Sequence, residues 1–395
     1  MNERQALKAV EELRKGIPPL GLIEHFTVGR KSEISELQQH LEKTDATVLL
    51  LKANYGSGKS HLLRLIREKA LELRYAVSYV ALDAKADVRF NRMDQILGAI
   101  LRTVEVPGSG SVAGVRGLFD FLGETIEKAR LGSRSTFWEN LTNEWKWDFS
   151  ETLKSPGLFV ALRAWITKDS NAQELVVDWL LKSDEYKAQR RLLYTTLVAN
   201  QRRHFRDPRP EYQFYNEKIF FFRENAYQQS WDALTDVDRL LKSAGMSGLI
   251  VLFDEFEDIL TNLNRVNFQE AAFWNLFLFF SGKRFPGMTF YAVTPGFVEK
   301  CKSLLLEKGR FDFDYKRFDH LPTFSMSPLA ERELQQLASR MIDAHAVAYG
   351  YEPTSKLRKQ VEKIVTRDAG SPSQDRARNT IKEVVKQLDE SLDEG

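Results

Sequence analysis

The stretch from Val48 to Leu63 constrains this chain most. An apolar β-forming run, Val48-Leu-Leu-Leu, passes through Ala53-Asn54-Tyr55-Gly56-Ser57-Gly58 into a helical pattern headed by Lys59-Ser60-His61. Strand, glycine turn and helix in that order form a loop that cradles phosphate. Gly56 and Gly58 can take backbone angles closed to residues with a Cβ, and so turn successive N–H groups toward an anion at a helix N-terminus. Lys59 would reach the β- and γ-phosphates, and the Ser60 hydroxyl would ligate Mg²⁺. The full pattern G-x-x-x-x-G-K-[ST] has its first glycine replaced by Ala53, the smallest departure open to it. Lys59 is expected near the surface, its charge reserved for phosphate.

A second stretch belongs with the first. Gly248-Leu-Ile-Val-Leu-Phe is an apolar strand of the kind buried on both faces, and it delivers Asp254 and Glu255 at its C-terminal end. Ligands of open α/β sheets bind at that end. There Asp254 would hold Mg²⁺ together with Ser60, and Glu255 would polarise the attacking water, since phosphoryl transfer is catalysed mainly by positioning and electrostatics. Glu257 and Asp258 are expected to be acidic residues in the first turn of the next helix.

Composition narrows the class. The 395 residues exceed one typical domain, so a large core with added or inserted units is expected. With 43% hydrophobic and 28% charged residues the chain falls among globular proteins rather than disordered or fibrous ones. Its net charge of +2 gives no global pull toward nucleic acid, so any such surface must be a local patch. The single cysteine, Cys301, cannot form an internal disulfide, which suits a reducing cytoplasm, and the start Met-Asn-Glu-Arg lacks the apolar core of a signal peptide. The most apolar run, Phe273 to Phe280, is too short to span a bilayer.

Taken in order, Leu7, Val10 and Leu13 mark a short N-terminal helix ended by Gly16 and Pro18-Pro19. Ser32 is placed to cap a helix through Ile34, Leu37 and Leu41. After the helix from 59 to 73, Tyr75 to Asp83 is a second strand, and strand-helix-strand implies a parallel sheet. From about 111 to 245 the pattern is helical and carries Trp138, Trp145, Trp147, Trp165, Trp179 and Trp231. Within it, 186–223 holds nine Lys or Arg against three Asp or Glu, with Phe205, Tyr212, Phe214 and Tyr215 interleaved. Such a stretch is either a surface for DNA, with charge on phosphates and rings on bases, or a solvated helix face with its aromatics in the core. Met288 to Val293 is a third strand with Thr294 at its tip, and Phe318 to Phe324 is expected to be the last strand. Ser327-Pro328 then opens helices that run to the end.

Several of these features resemble AAA+ and STAND-type ATPases. Val28-Gly29-Arg30, followed by Glu33-Ile34, is similar to the box that lies against adenine in them. The resemblance implies a sensor role for Thr294 at the γ-phosphate or lytic water. It implies that Arg310 or Arg317 reaches into a neighbouring subunit's site, and that Arg376 or Arg378, after the Gly370-Ser-Pro turn, senses nucleotide from a lid. Together, Leu13-Arg-Lys-Gly-Ile-Pro-Pro, the Val28-Gly-Arg30 box, the Tyr55 to Leu63 loop and Phe253-Asp-Glu-Phe-Glu257 resemble the ATP-binding proteins of BREX bacteriophage-defence systems.

The expected fold is an α/β P-loop NTPase, AAA+-like, with a parallel sheet core, a large helical insertion and a C-terminal helical lid. Its expected units are an N-terminal helix and link (1–27), a first core half (28–110), the insertion (111–245), a second core half (246–325) and the lid (326–395). Residues alone imply a Mg²⁺-dependent P-loop NTPase. The resemblance implies ATP as the nucleotide, held by Val28, Gly29, Arg30, Asn54, Tyr55, Gly56, Ser57, Gly58, Lys59, Ser60 and His61. It also implies a cytoplasmic defence ATPase acting on DNA or with a helicase or another protein of its system, as a homo-oligomer or not. The alternatives are an ATP-dependent switch or scaffold that seldom turns over, and a DNA-binding regulator.

Overall fold

The computed structural model describes residues 1–43, 47–54, 56–82, 88–108, 112–132, 153–182, 192–199, 217–259, 263, 265–370 and 376–393. Five strands form one parallel sheet: β1 (Val48–Lys52), β2 (Tyr75–Ala81), β3 (Gly248–Asp254), β4 (Met288–Val293) and β5 (Thr323–Ser325). Their spatial order is β2-β3-β4-β1-β5. Parallel neighbours cannot be joined by tight hairpins, so helical crossovers cover both faces and the strands are almost wholly apolar.

Helices α1 (Glu3–Arg14), α2 (Ile23–Phe26) and α3 (Lys31–Glu42) precede β1, and α4 (Lys59–Glu72) joins β1 to β2. Between β2 and β3 lie α5 (Met93–Thr103), α6 (Val115–Gly132), α7 (Pro156–Ile166), α8 (Ser170–Lys182) and α9 (Glu224–Ser243). Then come α10 (Val266–Phe280) before β4, α11 (Phe297–Glu307) and α12 (Lys316–Asp319) before β5, and α13 (Glu331–Tyr349), α14 (Ser355–Ala369) and α15 (Arg376–Asp393) after it.

The period-2 alternation of the strands divides the core. Leu50, Val251, Phe253, Tyr291 and Val293 face one side with α5 and the long helices that follow it. Leu49, Leu51, Ile250, Leu252, Phe290 and Ala292 face the other, against Leu62, Leu63 and Ile66 of α4. A third cluster stands apart from the sheet. Ala6, Ala9, Val10 and Leu13 of α1 pack with Leu334, Met341 and Ile342 of α13, Val361 and Val365 of α14, and Val384 and Leu388 of α15. Thus the two ends of the chain share one helical core.

Local chemistry explains the boundaries. Asn2 caps α1, accepting from the Gln5 N–H at 2.9 Å while its own N–H donates to the Gln5 side chain. Three expectations shift. Ser32 lies inside α3, with Arg30 at the cap position and the Ser32 hydroxyl donating to Glu33. The last strand is only Thr323–Ser325, because Phe318 belongs to the short α12 and packs into the aromatic core. Helix α13 begins at Glu331, where a carboxylate at Glu333 closes back on the Ala330 N–H, rather than at Ser327.

Candidate nucleotide-binding site

Register brings three strand ends to one edge of the sheet. Lys52 of β1 lies opposite Val293 of β4, and Phe253 of β3 lies opposite Tyr291. Beyond them, the Ala53 N–H donates to the Val293 carbonyl at 3.1 Å. The loop after β1 then turns through Gly56 (φ 68°) and Gly58 (φ 91°), the latter capping α4. Both angles are ones a side chain disfavours, so the glycines are needed where the sequence has them.

Lys59 is not at the surface. Its side chain is only 10% exposed, and Nζ donates to the Ala53 carbonyl at 3.0 Å and the Asn54 carbonyl at 3.4 Å. Oε1 of Glu257 stands 4.0 Å from Nζ. Glu257 does stand in the first turn of the next helix, but it is not simply an acidic residue there. It is 7% exposed in a 3₁₀ turn (Phe256–Asp258), and its Oε2 accepts the Thr294 N–H at 2.8 Å. The Thr294 hydroxyl is buried with no hydrogen-bond partner among the described residues, and so is that of Ser57 in the loop. Leaving such a group unpaired costs about 1–3 kcal/mol, so two of them beside one loop mark a place suited to a polar ligand.

Asp254 is buried at the tip of β3. Its Oδ2 accepts the Tyr79 hydroxyl of β2 at 2.5 Å and its Oδ1 accepts the Glu255 N–H at 2.9 Å. Burial, with the Asp254 charge beside it, pushes the Tyr79 phenol well above its usual range, which keeps it a donor. Glu255 itself is exposed and holds a left-handed backbone (φ 55°), unusual for a residue with a side chain.

The Val28-Gly29-Arg30 box is tied to the loop. Arg30 is buried; Nη1 pairs with Glu33 at 2.9 Å and Nη2 donates to the Ser57 carbonyl at 3.2 Å. Glu333 of α13 lies so close over Gly29 that a Cβ there would strike it. His61, in the first turn of α4, has Nε2 2.7 Å from the Thr27 hydroxyl. That hydroxyl gives its one hydrogen to the Ile23 carbonyl, so toward His61 it accepts, and Nε2 carries the proton. Burial, with the Arg30 and Arg64 charges, holds the imidazole neutral and lowers its pKa to about 4.

These groups line a cavity of about 440 Å³, within the range of small-ligand sites. At one end stand Gly56 to His61, Tyr79, Asp254, Glu255 and Glu257. At the other stand Leu13, Ile17, Pro18, Phe26 and Val28 from the N-terminal segment, with Leu329, Leu337, Ala377 and Ile381 from the C-terminal helices. Arg64 of α4 lies along the wall, donating to the Pro18 carbonyl at 3.0 Å, with its guanidinium 5.9 Å from the Tyr79 ring centre.

Of the residues the sequence singles out, Val28, Arg30, Asn54, Gly56, Ser57, Gly58, Lys59, Ser60, His61, Asp254, Glu255 and Arg378 line this cavity. Gly29 sits behind Val28 against α13, and Thr294 beside Glu257. Arg376 heads α15 and does not line the cavity. Arg310 contacts Asn267 and pairs with Glu270 at 3.1 Å, while Arg317 pairs with Asp314 at 3.0 Å and covers the Trp274 ring at 4.5 Å. Both lie away from this chain's own cavity. Tyr55, Asp83 and most of the basic stretch, including Arg190, Arg191, Arg202, Arg203 and Arg206, lie outside the described residues. Tyr79, Arg64, Glu257 and the apolar residues of α13 and α15 carry no motif that marks them, apart from the acidic run containing Glu257.

The donor set suits a hard cation. Ser60 and Asp254 present only oxygen, and two protein ligands are what a Mg²⁺ bound largely through nucleotide phosphates and water takes from its protein. Among the described residues no three His, Cys, Asp or Glu side chains could close around a metal alone.

A family model described as "BREX system ATP-binding protein BrxC/D" matches residues 1–191. The matched span contains the Val28-Gly29-Arg30 box, the whole phosphate loop and β2, and it ends before β3. No curated protein and no solved structure matches the chain.

Proposed function

From the similarity of residues 1–191 to BREX system ATP-binding proteins we propose that this chain is a member of that family and a Mg²⁺-dependent ATPase whose nucleotide lies in the cavity between β1, β3 and the terminal helices. The observation that carries the proposal is the convergence of Lys59, Ser60, Asp254 and the acidic turn after β3 on one cavity with an apolar far end. The triphosphate would lie along Gly56 to Ser60, and Lys59 would leave the Ala53 and Asn54 carbonyls for phosphate oxygens. Ser60 and Asp254 would hold Mg²⁺, which when bound neutralises charge on the β- and γ-phosphates. Thr294, at the tip of β4, would meet the γ-phosphate or the water that attacks it. The base would lie among Val28, Leu337 and Ile381, with Arg378 beside it.

The reading extends to phage defence through DNA or a partner protein of the same system, supported by the similarity to that family and by the basic and aromatic composition of 186–223. Arg310 or Arg317 would serve a neighbouring copy if the protein assembles. No helix among the described residues is long and apolar enough to cross a membrane.

ATP binding and phosphate release by the wild type and Lys59→Ala, with and without duplex DNA, test this function. Losing a charge-assisted contact of about 1.5–3 kcal/mol should weaken ATP binding by roughly 10- to 100-fold without shifting the melting temperature of the nucleotide-free protein by more than a degree or two. Wild-type ATP affinity in Lys59→Ala would overturn the placement of the triphosphate. Stimulation of phosphate release by DNA supports the DNA-linked role; slow release that DNA does not change favours an ATP-dependent switch.

A further inference from the structure

We propose that Glu257, rather than the strand-end Glu255, is the carboxylate that orients the attacking water on the γ-phosphate; the inference rests on the ATPase reading above.

The backbone after β3 sets how the two carboxylates stand: Glu257 is buried and Glu255 exposed, although both line the cavity. Phe256 is fully buried, with its ring centre 4.6 Å from that of Tyr291, 4.8 Å from Phe90 and 5.6 Å from Phe297. Anchoring Phe256 in that cluster accompanies the left-handed turn at Glu255, which leaves Glu255 exposed, and carries Glu257 back over the tip of β4. The result is a buried carboxylate held at one oxygen by a backbone donor, with the other turned toward the loop lysine. Oε2 is held by the Thr294 N–H at 2.8 Å, and Oε1 faces Lys59 Nζ at 4.0 Å.

Lys59 is the group that a phosphate loop sends to the β- and γ-phosphates. Oε1 of Glu257 therefore lines the same cavity as the loop that would hold the γ-phosphate, on the side of β4. The Thr294 hydroxyl, buried and unpartnered among the described residues, lies next to it and supplies a second polar group for the same water. Orientation is most of what such a residue contributes, and a buried carboxylate whose geometry is set by a backbone donor orients better than one on an exposed turn.

In the step itself, a lone pair of the water oxygen forms the bond to the γ-phosphorus as the bond from that phosphorus to the β–γ bridging oxygen breaks. The bond pair leaves on the β-phosphate of ADP. Glu257 accepts a water proton and passes it to the inorganic phosphate or to solvent, returning as the carboxylate. No electron is gained or lost.

The test measures ATP dissociation constants and single-turnover hydrolysis rates for the wild type, Glu257→Gln and Glu255→Gln. The glutamine at 257 keeps an oxygen for the Thr294 N–H, so the turn is preserved, while the proton-accepting charge is gone. Glu257→Gln should bind ATP at least as tightly as the wild type and hydrolyse it on the order of 10²- to 10⁴-fold more slowly. The loss in Glu255→Gln should be at least about tenfold smaller. A purely structural role for Glu257 would move the dissociation constant and the rate together, and would overturn the inference. It is equally overturned if Glu255→Gln loses as much rate as Glu257→Gln, or if Glu257→Gln hydrolyses at the wild-type rate. A wild type that binds ATP and releases no phosphate overturns the ATPase reading along with it, whereas a hydrolysing wild type with an unimpaired Glu257→Gln overturns this inference alone.

Discussion

At one end of the cavity the polar groups gather around the C-terminal ends of the strands: Lys59 and Ser60 in the loop and helix after β1, Tyr79 in β2, Asp254, Glu255 and Glu257 at and after the end of β3, with Thr294 after β4 behind Glu257. At the apolar end the walls come from residues 13–28 and 329–381, which meet only because α1 packs on α13 and α15. The first end is held by the hydrogen-bond ladder of a buried parallel sheet. The second is held by side-chain packing in a separate helical core, with a few polar ties such as Arg14 to Asp389 at 2.8 Å and Arg340 to the Thr27 carbonyl at 2.9 Å. Regions with separate cores can open separately, so the two ends of the cavity need not fail together.

The largest expected effect breaks that comparison directly. Val361 of α14 is buried in the terminal helical core and does not line the cavity, so Val361→Asp would place an unpaired charge there at a cost of several kcal/mol. Calorimetry should show an early transition for the terminal helices with the sheet transition retained. ATP affinity should fall by at least tenfold, while affinity for inorganic triphosphate, which needs only the strand tips, should stay within a few-fold. Equal losses for both ligands would mean that the two ends form one cooperative unit.

A smaller change sharpens the view of the phosphate end. Tyr79→Phe removes the hydroxyl that Asp254 accepts at 2.5 Å, a bond worth roughly 1–2 kcal/mol to a charged acceptor. Nucleotide affinity in the presence of Mg²⁺ should fall by about three- to tenfold, and affinity measured with EDTA should hardly move. A matching loss in EDTA would assign Tyr79 to the fold of β2 rather than to the metal carboxylate.

The smallest effect concerns His61, which joins the two ends through Thr27. Its folded pKa of about 4 lies below the ordinary 6.5, so between those values the unfolded chain binds a proton that the folded one does not. The stability it contributes is therefore full at and above about pH 6.5 and is lost as pH falls toward 4. Unfolding in urea at pH 7 and pH 5 should show His61→Gln losing less stability between the two than the wild type. An NMR titration of His61 with a midpoint near 6.5 would contradict the half-buried, Arg-flanked setting.

How much of this was legible depended on how local the cause was. The Lys59 loop, β3 with Asp254 and the Thr294 strand could be read because strand, turn and helix patterns express short-range backbone preferences, and a buried parallel strand must be apolar on both faces. The end of β5 could not, since Phe318 satisfies an aromatic core from a helical turn as well as a strand would. Lys59 was expected at the surface, yet its ammonium turns inward and donates to the loop's own carbonyls. Arg376 and Arg378 are both basic and two residues apart, so only the rotation of α15 separates the one that lines the cavity from the one that does not.

By itself, then, the sequence determined that β1 feeds a glycine turn that opens a helix at Lys59 and that acidic residues stand at the end of β3, because both are written in contiguous residues whose conformational limits act over one turn. Tertiary structure alone decided that Glu257 faces Lys59 and that two chain ends close the apolar wall. The reason is the same in both cases. Phe256 and α1 each had to bury an apolar surface against partners remote in sequence, and where those partners lay set the direction in which the polar neighbours pointed.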